Sequence, residues 1–170
     1  MKALRSLFTV ASVTALMVLF QAFALATANS PDFVEVPAIA GADVSASAVI
    51  DGFRGGRLVV GRYAINIPRG AFMGRATVTL TVPNSTSMRC ELQISPASHN
   101  HFLRPVGLEA NCSGWGTDAM LPNVRTVVLD ESKGVWSLVP NVSVNVANKT
   151  VYTPLWHFSQ YGQVQGKAGW

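Results

Sequence analysis

Apolar and polar residues alternate with a period of two through much of this chain. The pattern is clearest in ATVTLTV (residues 76–82), CELQI (90–94), VGLEA (106–110) and VSVNV (142–146). Successive side chains of an extended backbone point to opposite faces, so each segment has one apolar and one polar face, as a half-buried strand does. RLVVG, YAINIP, RTVVLD and VWSLVP supply further short strands. No window carries the apolar spacing of a long amphipathic helix. Turn formers separate the strand candidates: Gly55-Gly56, Pro68-Arg69-Gly70, Pro83-Asn84, Ser95-Pro96, Gly114-Trp115-Gly116 and Ser132-Lys133-Gly134. Eight or more short strands at this spacing predict one all-β domain over residues 44–170. Its expected form is an antiparallel two-sheet β-sandwich, with alternate side chains of every strand entering a shared core.

Two segments depart from the alternation. Lys2 and Arg5 precede an uncharged, mostly apolar run over residues 6–28, closed by small residues that fit a small-x-small cleavage pattern. Residues 1–28 are therefore expected to be a hydrophobic signal-peptide helix. The alternative is an uncleaved anchor, since the run is just long enough to span a bilayer. Residues 29–43 carry two prolines and no sustained period, and read as an extended lead-in.

The leader alters the charge argument. The chain has 13 Lys+Arg against 9 Asp+Glu, and without Lys2 and Arg5 the balance is 11 against 9, a net of +2. No stretch beyond the leader clusters Lys and Arg as a phosphate-binding surface requires, which argues against nucleic acid as a partner. The expected location is secreted, periplasmic or on the cell surface, with membrane contact only through an uncleaved N-terminal segment. In that compartment Cys90 and Cys112, the two cysteines, are expected to form a disulfide between neighbouring strands.

The order of the punctuation carries a resemblance. GGRL (55–58), INIPRGAF (65–72), the TVTLTV strand, CELQISP followed by FLRPVGLE (102–109), a strand containing Trp136, and LWHFSQY (155–161) together resemble the ZU-five domain, named for zona occludens and uncoordinated-five proteins. The likeness covers residues 44–164. It implies a β-sandwich interaction module and, as in some members of that family, one that cleaves itself between Phe and Ser of a His-Phe-Ser motif.

Here that motif is His157-Phe158-Ser159. If the stretch is a strand, Trp156 and Phe158 anchor it in the core while His157 and Ser159 share the other face, a base beside a hydroxyl nucleophile. The Ser159 oxygen would attack the Phe158 carbonyl, the acyl group would pass from nitrogen to oxygen, and water would hydrolyse the ester. A purely structural stretch is the competing expectation: aromatic rings in the core, Ser159 a surface hydroxyl, His157 with one hydrogen bond.

Other candidates carry less chemistry. His99-Asn100-His101 sets two imidazoles two residues apart, but the surrounding SPASHNHFLRP reads as a solvated loop without acidic or thiol neighbours, so no metal and no cofactor is expected. No Gly-x-Ser-x-Gly elbow marks a hydrolase. Asp130-Glu131 adjoins a turn and is not paired for glycosidic chemistry. Trp115 lies in a loop, where an indole can stack on a sugar or cover the adjacent Cys112. Four tripeptides beginning at Asn84, Asn111, Asn141 and Asn148 match the glycosylation pattern. The leading expectation is an exported non-enzymatic structural or interaction module whose partner is an extracytoplasmic protein or glycan. The alternatives are single-turnover self-cleavage at Phe158-Ser159 and carbohydrate binding through Trp115.

Overall fold

A computed structural model describes residues 33–36, 42–84, 88–115 and 118–165. The expected signal helix lies outside them, as does most of the lead-in. Among the described residues no helix is long and apolar enough to cross a membrane.

The described chain is all-β. Its strands are β1 (Phe33–Val36), β2 (Val44–Asp51), β3 (Gly56–Val60), β4 (Tyr63–Ile67), β5 (Arg75–Val82), β6 (Arg89–Ser95), β7 (Val106–Asn111), β8 (Val124–Asp130), β9 (Val135–Leu138), β10 (Ser143–Asn145), β11 (Thr150–Leu155) and β12 (Gln160–Gln165). Short 3-10 turns occupy Ala97–His99 and Asp118–Asn123. One sheet runs β1-β3-β4-β7-β11-β10 and the other β2-β5-β6-β12-β8-β9. Pairing is antiparallel except at one edge, where β1 runs parallel to β3, so part of the lead-in is a strand. Neither β2 nor β11 stands out in the alternation. The apolar positions of β2 include Ala46 and Ala48, whose small side chains mute the period. Pro154 interrupts β11, and it is tolerated because β10 pairs only with Thr150 to Tyr152 and has ended before the proline is reached.

The alternation does what period two requires. Val78 and Leu80 of β5, Leu92 of β6, Leu108 of β7 and Val151 and Leu155 of β11 point inward and are buried with Leu58, Ile65 and Ile50 in one core. Gly55 makes the turn into β3 possible. Its φ is +75°, and a Cβ there would lie 2.3 Å from the Ile67 carbonyl oxygen.

Polar groups also enter the core, joined across the layers. The Tyr63 hydroxyl donates to Gln163 Oε1 (3.4 Å), Gln163 Nε2 donates to Thr126 Oγ1 (3.2 Å), and the Thr126 and Thr153 hydroxyls are 2.6 Å apart. Satisfied in this way, the buried groups avoid the cost of an unmade hydrogen bond.

The expected Cys90–Cys112 disulfide is absent: both residues are free, buried thiols. Cys90 lies on β6 and Cys112 just past β7, in opposite sheets rather than on neighbouring strands, and Cys112 Sγ turns back toward the Ala110 carbonyl (3.7 Å). Burial pushes the Cys90 thiol well above its ordinary range and raises Cys112 too, with Arg62 partly opposing the second shift. Ellman's reagent should therefore find little reactive thiol in the native protein and two per chain after denaturation.

Alkaline pH should unfold the domain. Burial raises the pKa of Tyr63, Tyr161 and Cys90. Above the ordinary cysteine and tyrosine range the unfolded chain has lost protons that the folded chain keeps, so stability is full at lower pH and declines as pH rises. The slope is up to about 1.4 kcal/mol per pH unit for each group. Urea midpoints measured from pH 7 to 11 should be flat to about pH 8.5 and fall steeply beyond it.

Candidate functional site

The His-Phe-Ser stretch is not part of a strand. Residues 156–159 form the corner by which the chain leaves β11 in one sheet and enters β12 in the other. Phe158 alone turns inward: it is 4% exposed and meets Phe102 edge-on at 4.8 Å between ring centres, with Phe72 6.5 Å beyond. The expectation for Trp156 is corrected, because at 57% exposure it points to solvent. A corner does not preserve the strict alternation on which that expectation rested.

Backbone and side-chain donors pin the corner from several directions. Phe102 N–H donates to the Trp156 carbonyl (3.0 Å), the Tyr161 hydroxyl to the His157 carbonyl (2.7 Å), and Leu92 N–H to the Ser159 carbonyl (3.0 Å). Asn100 supplies the fourth donor. Its Nδ2 donates to the Phe158 carbonyl (3.0 Å), while its Oδ1 accepts from Phe158 N–H (2.6 Å). One side-chain amide thus satisfies both backbone groups of Phe158, much as a paired strand would.

Around this clamp no hydrogen bond joins His157 to Ser159 among the described residues. The Ser159 hydroxyl donates to the Leu129 carbonyl of β8 (3.0 Å), and the His157 side chain is exposed. A hydroxyl directed at a backbone carbonyl is oriented, but an amide carbonyl is too weak a base to activate it. Asn100 Nδ2 does sit where a donor would stabilise negative charge developing on the Phe158 oxygen.

The loop before Asn100 is part of the same construction, not a freely solvated segment. His99 Nε2–H donates to the Met73 carbonyl (2.6 Å), its ring stands edge-on to Phe72 at 5.5 Å, and its buried Nδ1 has no hydrogen-bond partner among the described residues. His101 is exposed. Among the described residues no group of three or more His, Cys, Asp or Glu is placed to hold a metal ion. Asn100 is the residue that sequence reasoning passed over. Its only signal is its position between the two histidines, which gives no hint that a corner 58 residues later is its partner.

Trp115 is half-buried and packs against the core, and its backbone N–H donates to the Cys112 carbonyl (3.0 Å). Asp130 closes the β8–β9 turn by accepting from the Ser132 amide and hydroxyl and pairing with Lys133 at 3.0 Å. The hydrogen bond from Ser132 and the one from Lys133 hold its carboxyl down to about 2, which suits a turn cap and not a general acid. All four glycosylation tripeptides begin at exposed asparagines.

No protein-family model matches the chain, and no curated protein matches it in sequence.

Proposed function

We propose that this chain is an exported, non-enzymatic β-sandwich of ZU-five type, in which the His-Phe-Ser corner locks the two sheets together and the outer faces are left for binding. The observation that carries this reading is the saturation of the corner: all four carbonyls from Trp156 to Ser159 accept a hydrogen bond, and the Ser159 proton is directed to Leu129. Such a segment is built to stay in place. At roughly 1 kcal/mol for each bond made, the corner contributes several kcal/mol to holding the sheets in register.

A second reading has one observation in its favour. Asn100 Nδ2 already contacts the Phe158 oxygen, as an oxyanion donor for attack by the neighbouring Ser159 would. In that reaction the Ser159 oxygen bonds to the Phe158 carbon, the Phe158–Ser159 C–N bond breaks as the nitrogen gains a proton, and water then opens the ester.

Intact mass of the denatured mature protein separates the two. A single uncut chain after prolonged incubation is the expected result. Two fragments meeting at Phe158/Ser159, absent from Ser159→Ala, would replace the first reading with the second.

A further inference from the structure

The outer face of the first sheet carries a depression made by two cross-strand rows. Arg57, Asn66, Gly107 and Pro154 form one row across β3, β4, β7 and β11, and Val59, Ala64, Glu109 and Tyr152 form the next. The floor of the first row is empty because residue 107 has no side chain. Into that space Tyr152 leans from the neighbouring row: a Cβ on Gly107 would lie 2.6 Å from Tyr152 Cε2 and 3.0 Å from its hydroxyl oxygen. The tyrosine remains 40% exposed, so its ring is held against backbone on one side and open on the other.

Three arginines share the cleft with this ring. Arg57 donates to Asn66 Oδ1 (2.8 Å) and to Glu109 Oε2 (3.0 Å), and Asn66 Nδ2 closes the triangle on Glu109 Oε1 (2.7 Å). The triangle fixes the guanidinium and leaves three of its five N–H donors unassigned. From the turns at the end of the sheet come Arg54 and Arg69, both exposed. Among the described residues Arg69 uses only Nε, on the Phe53 carbonyl (3.4 Å), and the Arg54 guanidinium has no partner. All three line a cleft of about 440 Å³ with Tyr152, and Glu109 beside it is already bonded to Arg57 and Asn66. Asp51, near the same turn, is held by Phe53 N–H and faces Arg75.

We infer that this cleft binds an acidic sugar, its ring lying on Tyr152 and its carboxylate between Arg54 and Arg69. The inference rests on the reading of the chain as a binding module, and names its ligand class. A fixed aromatic face accepts the flat side of a ring, and guanidinium forks match a planar carboxylate in two parallel bonds. An extended peptide has less to hold here, because β7 is paired on both sides and offers no free ladder groups. A nucleic acid would need a longer basic track than three arginines at one spot.

The test is calorimetric titration of the mature protein with tetragalacturonate and with its fully methyl-esterified form. The acid should bind at least about tenfold more tightly than the ester, and more weakly as salt is raised. Tyr152→Ala should lose about tenfold in affinity while Tyr152→Phe keeps it, and Arg54→Ala with Arg69→Ala should reduce the acid to the level of the ester. These side chains are exposed, so the variants should fold, which circular dichroism checks. Equal binding of acid and ester, no binding at about 1 mM ligand, or indifference to Tyr152→Ala overturns the inference. Equally tight binding of a polyglutamate of the same charge, independent of Tyr152, overturns it in favour of an acidic peptide. Mass spectra of the same sample keep the outcomes apart: an uncut chain that ignores the sugar removes only this inference, whereas a cut chain removes the reading beneath it.

Discussion

Phe158→Ala is expected to lower the free energy of unfolding by about 3–5 kcal/mol, the range for truncating a buried phenylalanine. The ring is almost fully enclosed and fills the end of the sandwich beside Phe102 and Phe72. Truncation loses its transfer from water, leaves a cavity, and removes an edge-on aromatic contact worth about 0.5–1.5 kcal/mol by itself. Denaturation in urea should show a lower midpoint with an unchanged slope. A loss under about 1 kcal/mol would mean that the aromatic end is not part of the cooperative core.

The second large effect is expected at Asn100. Asn100→Ala leaves the N–H and C=O of Phe158 without their partner at once, for a loss of about 2–4 kcal/mol. Asn100→Asp keeps an acceptor for the N–H but sets a carboxylate oxygen against the Phe158 carbonyl, so it should be no better than alanine. Amide exchange at Phe158 should accelerate in both variants. Because Asn100 and Phe158 act on one corner, the double substitution to alanine should cost less than the two single losses together. Strict additivity would show that the clamp and the ring stabilise the fold independently.

How far the sequence discloses this architecture depends on which interaction sets each feature. Strands such as β5 and β6 are legible because their alternation is a local property, written in Val78, Leu80 and Leu92 against the threonines, Glu91 and Gln93 between them. β2 is muted by its alanines, and β11 is disguised by Pro154, whose tolerance depends on where a neighbouring strand stops. Partners distant in sequence are harder still to read. Nothing near Cys90 or Cys112 reveals that they fall in different layers, and nothing near Trp156 shows that the chain turns a corner before Phe158. The candidate site is legible in the same partial way. The residue types of the His-Phe-Ser motif suggest a nucleophile and a base, but their relation depends on Leu129 and Asn100, brought in by chain segments far away. The Tyr152 cleft is less visible again, since its decisive feature is a missing side chain at Gly107.

The position of β12 has a consequence for assembly. It lies between β6 and β8 and pairs with both, joining the two halves of the sheet. A chain emerging vectorially from a ribosome or a translocation channel can pair β2, β5 and β6, and β8 with β9, yet the two halves must wait, each with an open ladder edge, for residues 160–165. Closure of the second sheet is therefore a late, long-range event, and a nascent chain halted before it should recruit holding chaperones until the gap is filled.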